Sequence, residues 1–217
     1  MLGRFLFRLA RLVSRHPLTG KIVGLGFQYG SFLLPVRRLA DSETTVIFAH
    51  PRPAYDDHLL VVPKRAIATF PDLLAPNRLV YFAAILQAAR QLLDTQGWDN
   101  YSLAVNGGRN QEVSQVHFHL YRGRAHWRPF VGEDPTHRRQ NDSAVFSHPR
   151  PRRALHLVLP VQIALDADRG NALQTRLGQL IEEGDLIARG YTVFVQFGQG
   201  PTDGHFLHLV SGAVVND

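Results

Sequence analysis

The pattern of apolar and polar residues predicts a sheet with one long helix in residues 42–125. Two segments rich in β-branched and aromatic residues, ETTVIFAH and HLLVVPK, predict the first two strands. The clearest helical pattern runs from Asn77, the expected N-cap, to Gly97, the expected terminator. Two more strands follow, separated by the turn GGRN. This order predicts an α+β fold with a mainly antiparallel sheet and a helix packed across it.

The N-terminal segment has a different character. Residues 1–15 place apolar residues on one helical face and four arginines largely on the other. That pattern is typical of a basic amphipathic helix on an anionic membrane surface, and also of a surface helix packed on the protein's own core. We assign residues 1–41 to this helix and a following apolar segment. The arginines argue against a signal peptide, and nothing reaches the roughly 18 apolar residues that a spanning helix needs.

The order of elements then recurs along the chain. VIFAHPRPAYDDHLLVVP (residues 46–63) resembles AVFSHPRPRRALHLVLP (residues 144–160), and YSLAVNGGRN and VHFHLYRG have later counterparts in YTVFVQFGQG and HFLHLVSG. We therefore predict a first repeat over residues 42–125, a polar connector over residues 126–143 and a second repeat over residues 144–217. Such a duplication predicts an intrachain pseudo-dimer.

Composition narrows the classes of chemistry. The chain has no cysteine, so disulfides and thiolate catalysis are excluded and a zinc site would have to use histidine and carboxylate ligands. The net charge of +6 favours an anionic partner. The basic clusters near the connector are expected to form solvated surface, so nucleic acid is not the expected partner. The absence of cysteine is compatible with a cytoplasmic location.

Two histidines one residue apart are the main candidates for chemistry. On a strand, Gln115, His117 and His119 would share one face. A solvated sheet face, a metal site and a catalytic site would all produce this pattern. Three further histidines could complete a metal site: His50, His58 and His126.

The wider motif resembles a known family. Asn106-x-Gly108, followed by Gln111-x-Val113-x-Gln115-x-His117-x-His119, is similar to the signature of the histidine triad (HIT) superfamily. Its members show an Asn in a Gly-rich turn, then a Gln, then His-x-His-x-His. The upstream segment DDHLLVVPK, with His58 before an apolar strand, also resembles the family, so the similarity covers residues 42–125.

This resemblance implies a HIT-like fold and nucleotide hydrolysis or nucleotidyl transfer, with no cofactor and no metal. His117 would attack the α-phosphorus of a nucleoside phosphate ester, phosphoramidate or dinucleotide polyphosphate and form a covalent nucleotidyl-histidine. His119 would contact the phosphate or protonate the leaving group, with His58 in support. Three residues are implied in binding the phosphate: Asn106, Gly108 and Gln111.

The chain also departs from the family pattern. Gln115 occupies the place of the first triad histidine and cannot shuttle a proton. In the second repeat, Phe206 stands at the nucleophile's position, His208 aligns with His119 and Leu155 falls near the position of His58. We therefore expect a degenerate second repeat.

Two alternatives stay open: a catalytically weak nucleotide-binding module, peripheral at the membrane, and a metal-dependent hydrolase that uses the His-x-His pair. The sequence does not specify the oligomeric state.

Overall fold

A computed structural model describes residue 26 and residues 37–122, 146–147, 156–161, 175, 177–183, 185–197 and 206–212. The amphipathic helix predicted for residues 1–15 and the connector predicted for residues 126–143 lie outside these residues. Within the described part of the chain, no helix is both long and apolar enough to cross a membrane.

Nine strands of the described residues form a single sheet in which every neighbouring pair is antiparallel. In chain order the strands are β1 (Arg38–Asp41), β2 (Thr45–Ala49), β3 (His58–Pro63), β4 (Tyr101–Gly107), β5 (Phe118–Arg122), β6 (Phe146–Ser147), β7 (His156–Pro160), β8 (Tyr191–Phe197) and β9 (Phe206–Ser211). Their order in the sheet is β1-β2-β3-β5-β4-β8-β9-β7-β6. The predicted α+β class with an antiparallel sheet is therefore confirmed.

In the described part of the chain the sheet is accompanied by helices α1 (Phe70–Leu73), α2 (Leu79–Gln96) and α3 (Leu186–Arg189). Residues 177–183 are also helical. The main helix, α2, ends as predicted at Gly97, whose φ of 63° lies in the left-handed region that glycine tolerates. Its start differs from the prediction, because Pro76–Arg78 forms a 3-10 turn that contains Asn77. The N-cap is Arg78, which makes no side-chain capping bond.

The sheet has two faces of different character. Alternate residues such as Leu103, Leu120 and Val193 belong to the main hydrophobic core, which also contains the buried side of α2. The intervening residues of the central strands, among them His119 and Phe194, point to the other face. Because the core extends from β4 and β5 into β8 and β9, one hydrophobic cluster supports both predicted repeats.

Strands β4 and β8 pair at the centre of the sheet, with Ala104 opposite Phe194. Outward from this pair, β4 is followed by β5, β3 and β2, and β8 is followed by β9, β7 and β6. His156 of β7 pairs with Val210 as His58 of β3 pairs with Tyr121. These registers give His156 the position that the sequence comparison had given to Leu155.

The strand that was expected to carry both histidines is shorter than the pattern indicated. It begins at Phe118, and the residues from Gln111 to His117 form no strand. The backbone N–H of Val116 donates at 2.7 Å to the carbonyl of Ile67, which belongs to the loop after β3. Since this segment bonds to a loop, the strand ladder does not extend through it. The expected common face is wrong for Gln115, whereas the ring of His117 still lies 5.2 Å from that of His119.

Candidate active site

Two of the predicted catalytic histidines are in direct contact. His58 opens β3 and His119 lies in β5, and these strands are neighbours in the sheet. The Nε2 atom of His58 lies 3.0 Å from the Nδ1 atom of His119. Both side chains are buried, with 3% and 1% of their surfaces exposed. The antiparallel register therefore brings together two imidazoles that are 61 residues apart in the chain.

The backbone fixes the tautomers of this pair. The N–H of Ala54 donates to Nδ1 of His58 at 3.2 Å, so a neutral His58 carries its proton on Nε2. That proton points to Nδ1 of His119 in the 3.0 Å contact, which makes Nδ1 an acceptor. A neutral His119 then carries its own proton on Nε2. The loop that precedes β3 thus assigns the protons of both rings.

His117 lies just before β5 and is half-buried. Its Nδ1 atom is 2.8 Å from the backbone carbonyl of Gln115. A carbonyl can only accept, so Nδ1 of His117 donates and the lone pair of the neutral ring is on Nε2. The rings of His117 and His119 have centroids 5.2 Å apart in an edge-to-face arrangement. The ring of His117, with the lone pair of its neutral form on Nε2, therefore lies next to the buried histidine pair.

Gln115 does not share a face with these rings. Its side chain is 1% exposed, and its Nε2 donates to the carbonyls of Pro63 at 3.2 Å and Arg65 at 3.0 Å. Its Oε1 accepts from the N–H of Ile67 at 3.2 Å. The amide therefore closes the loop after β3, and its two N–H groups are already used. The residue at the first position of the triad motif, Gln115, therefore binds backbone groups of the loop after β3.

Gln111 has a similar arrangement. Its Nε2 donates to the carbonyls of Ala68 at 2.5 Å and Val113 at 2.8 Å. The family motif had implied that this amide binds the phosphate. In the structure both N–H groups have carbonyl partners, so the amide orders the segment that leads to His117.

The other two residues predicted to bind phosphate lie beside the second half of the chain. Asn106 is buried, with 3% of its surface exposed. The Thr192 hydroxyl lies 2.9 Å from Oδ1 of Asn106 and 3.0 Å from the carbonyl oxygen of Gly212, and these two acceptors share its single hydrogen. Gly108 has a φ of 60°. A Cβ on it would lie 2.5 Å from the carbonyl oxygen of Leu186 in α3, so only glycine fits.

One residue was missed as a member of this site. His50, which sequence reasoning considered only as a metal ligand, is 8% exposed and stacks on His58 with ring centroids 4.1 Å apart and planes 4° apart. Its Nδ1 accepts from the N–H of Arg52 at 3.1 Å. The repeated His-Pro-Arg-Pro sequence was a signal for a special role at this position.

His50, His58 and His119 form a cluster of three histidines that could be a metal site. One ring nitrogen from each lies within 4.8 Å of the others. A metal ion binds the lone pair of a neutral imidazole. In each of these rings the nitrogen with the lone pair, Nδ1, already accepts a hydrogen bond. The hydrogen bonds of the three rings therefore do not fit a bound metal.

An aromatic pair borders the histidines. Tyr55 stacks on Tyr121 with centroids 4.5 Å apart and meets the ring of His58 edge-on at 5.4 Å. Burial raises the pKa of Tyr55 and, more strongly, that of Tyr121. Both phenols are therefore neutral at physiological pH, and they add no negative charge beside the site.

Comparison with known proteins identifies the family. The HIT domain model matches residues 34–126. An uncharacterised HIT-like protein of Methanocaldococcus jannaschii is 32% identical over 89 residues, which cover 40% of this chain and 68% of that protein. The chain belongs to the HIT family. The matched region contains all seven residues that sequence reasoning assigned to the site.

Further relatives of this HIT protein include Protein pkiA of Dictyostelium discoideum, 28% identical over 125 residues, 55% of this chain and 93% of that one. Among solved structures, a HIT family hydrolase from Legionella pneumophila has 28% identity and a TM-score of 0.39, with 46% of this chain and 92% of that chain covered. The yeast Ap4A phosphorylase in complex with AMP has 18% identity and a TM-score of 0.46, with 81% of this chain and 58% of that chain covered.

Proposed function

We propose that this HIT protein is a nucleotide hydrolase or nucleotidyltransferase that acts through a covalent intermediate on His117. One observation carries the proposal: the Gln115 carbonyl holds the proton of His117 on Nδ1, so that the lone pair of the neutral ring is on Nε2. A neutral imidazole is a good nucleophile near pH 7, and its bond to phosphorus is labile. The proposed substrate class is a nucleoside phosphate ester, phosphoramidate or dinucleotide polyphosphate, as the family motif implies.

In the first step, Nε2 of His117 attacks the α-phosphorus. A nitrogen–phosphorus bond forms, the bond from phosphorus to the leaving group breaks, and the leaving group takes the electron pair. The Nε2–H of a neutral His119 would donate a hydrogen bond to that group, which takes its proton from solvent. In the second step, water or another acceptor attacks phosphorus and gives up a proton to solvent, and the bond to His117 breaks, which releases the nucleotide and restores the neutral imidazole.

The remaining residues of the site have supporting roles in this proposal. His58 holds His119 in the required tautomer. Gln115 and Gln111 order the segments on either side of the nucleophile through their bonds to backbone carbonyls. The family motif implies that the amide of Asn106 donates to phosphoryl oxygens, and the Thr192 hydroxyl orients this amide by donating to its Oδ1.

We further propose that residues 144–217 are a degenerate second repeat, so that the sheet is an intrachain pseudo-dimer. The strand order outward from β4 and β8 and the matched registers of β3 and β7 support this. On this proposal Phe206 would stand where the first half has His117, which is supported by the pairing of His208 with Phe194 and of His119 with Ala104. A phenyl ring cannot attack phosphorus. The second repeat would then support the first without a reaction of its own.

The test compares wild type with His117→Ala on a panel of nucleoside phosphoramidates, phosphate esters and dinucleotide polyphosphates. We expect turnover to be lost in the variant while its melting temperature stays near that of wild type. An acid-labile radioactive label from an α-phosphorus-labelled substrate should appear on wild type and be absent from the variant. Full turnover by His117→Ala would refute the mechanism.

The same panel separates the alternative functions. A binding module without catalysis would bind nucleotide in calorimetry and yield no product from wild type. A metal-dependent hydrolase would lose activity on treatment with a chelator, an outcome that the hydrogen bonds of the histidine cluster argue against. Cytoplasmic location and contact of residues 1–15 with an anionic membrane remain predictions.

A further inference from the structure

His50 is the residue of the histidine cluster that the proposed mechanism does not use. Its backbone N–H donates to the carbonyl of His58 at 2.8 Å, so the two residues are joined across the loop between β2 and β3. Their rings are nearly parallel at 4.1 Å. The ring of His50 is also 5.6 Å from that of His119. A buried side chain with this geometry limits the orientations that its neighbour can adopt.

The orientation of His58 matters because its two nitrogens make different contacts. A rotation that takes the ring out of this plane would remove Nδ1 from the N–H of Ala54 and Nε2 from Nδ1 of His119. Such a ring would leave His119 free to carry its proton on Nδ1. The Nε2–H of His119 that would donate a hydrogen bond to the leaving group would then be lost.

We infer that His50 is a positioning residue, whose ring holds the plane of His58 so that the Nε2 proton of His58 stays on His119. This inference rests on the proposed function. The ring of His50 is itself oriented by the backbone N–H of Arg52, which donates to its Nδ1. The order of control runs from the His-Pro-Arg-Pro turn to His50, then to His58 and to His119.

Two substitutions separate the stacked ring from the hydrogen bond. His50→Phe keeps an aromatic ring over His58 and loses the acceptor for Arg52. His50→Asn keeps an acceptor close to the position of Nδ1 and loses the ring. If the stack does the positioning, His50→Asn should lower kcat by about 10²-fold with little change in KM, because a small misplacement of a catalytic group has an effect of that size. His50→Phe should restore most of the activity.

Nuclear magnetic resonance gives a readout that a merely structural role would not change. Long-range proton–nitrogen spectra distinguish a protonated from an unprotonated ring nitrogen. In wild type and His50→Phe we expect His58 and His119 each to carry the proton on Nε2. In His50→Asn we expect His58 to show a mixture of tautomers. Should His50→Asn fail to fold, His50→Leu removes the aromatic face at similar volume and takes its place.

The matched control is His208→Asn, which removes another buried imidazole that stacks on an aromatic ring. His208 is 6% exposed and lies 4.7 Å from the ring of Phe194 with planes 5° apart. We expect its loss to affect stability and to leave kcat and the His58 tautomer near those of wild type.

Wild-type kcat in His50→Asn, or equal losses in His50→Asn and His50→Phe, would overturn the inference. If wild type turns over no nucleotide, the proposed function fails, and the His58 tautomer in His50→Asn still decides the positioning role.

Discussion

Replacement of Gln115 by Met tests whether this residue holds the backbone beneath the nucleophile. The side chain is 1% exposed and makes three hydrogen bonds to the loop after β3. Met fills a similar volume and makes none of them. With about 1 kcal/mol for each bond, the variant should lose about 3 kcal/mol of unfolding free energy. The loss should be larger if water does not reach the backbone groups that lose their hydrogen bonds. For a chain of this size that corresponds to a fall of about 9 °C in melting temperature.

The assay is urea unfolding followed by circular dichroism, with Gln111→Met as a matched control. Gln111 also donates twice to backbone carbonyls, but one bond is exposed and the other only partly buried. Water can replace its amide, so its loss should cost about 1 kcal/mol or less. Equal losses for the two variants, or a loss below about 1 kcal/mol for Gln115→Met, would show that the buried amide does not hold the loop.

Three other predictions concern residues outside the histidine pair. Gly108→Ala should destabilise the protein by at least about 2 kcal/mol in the same urea assay, because its φ of 60° and the α3 carbonyls leave no room for Cβ. The pKa of Asp41 is lowered mainly by its hydrogen bond with Lys64. The contribution of Asp41 to the unfolding free energy is therefore present above its unfolded pKa and is lost as pH falls through its folded pKa. Because the pair is partly exposed, Asp41→Asn should cost less than about 1 kcal/mol at neutral pH and nothing in acid. Deletion of residues 1–15 should abolish co-sedimentation with anionic liposomes if that segment binds them, and unchanged co-sedimentation would contradict the membrane prediction.

Local chemistry explains which elements the sequence could predict. Gly97 was predictable because a helix that ends in a left-handed residue favours glycine, and the structure has φ of 63° there. The strand that opens at His58 and closes at Pro63 was predictable from its apolar run and its proline. The start of α2 was not, because Pro76 begins a 3-10 turn that draws Asn77 into helical structure.

The contacts of the site depend on distant backbone groups, and a sequence pattern does not specify these. The alternation around Gln115, His117 and His119 predicted one common face. In the structure, the unpaired groups of the loop after β3 take the amide of Gln115, and the strand starts only at Phe118. On the proposed duplication, His156 and not Leu155 matches His58. The sequence pattern did not reveal this because β7 is one residue shorter than β3, so an alignment on the closing prolines shifts the histidine.

The two halves of the sheet differ in the residue that pairs with a buried histidine. In the first half, His119 pairs with Ala104, a small residue that is itself fully buried. In the second half, His208 pairs with Phe194, whose ring covers it at 4.7 Å. On the proposed duplication, Phe206 would also stand in the place of His117, the proposed nucleophile. Both differences agree with the proposal of a single active site, in the first half. On that proposal, the contacts of Thr192 with Asn106 and of α3 with Gly108 would let the second half hold the turn of the first.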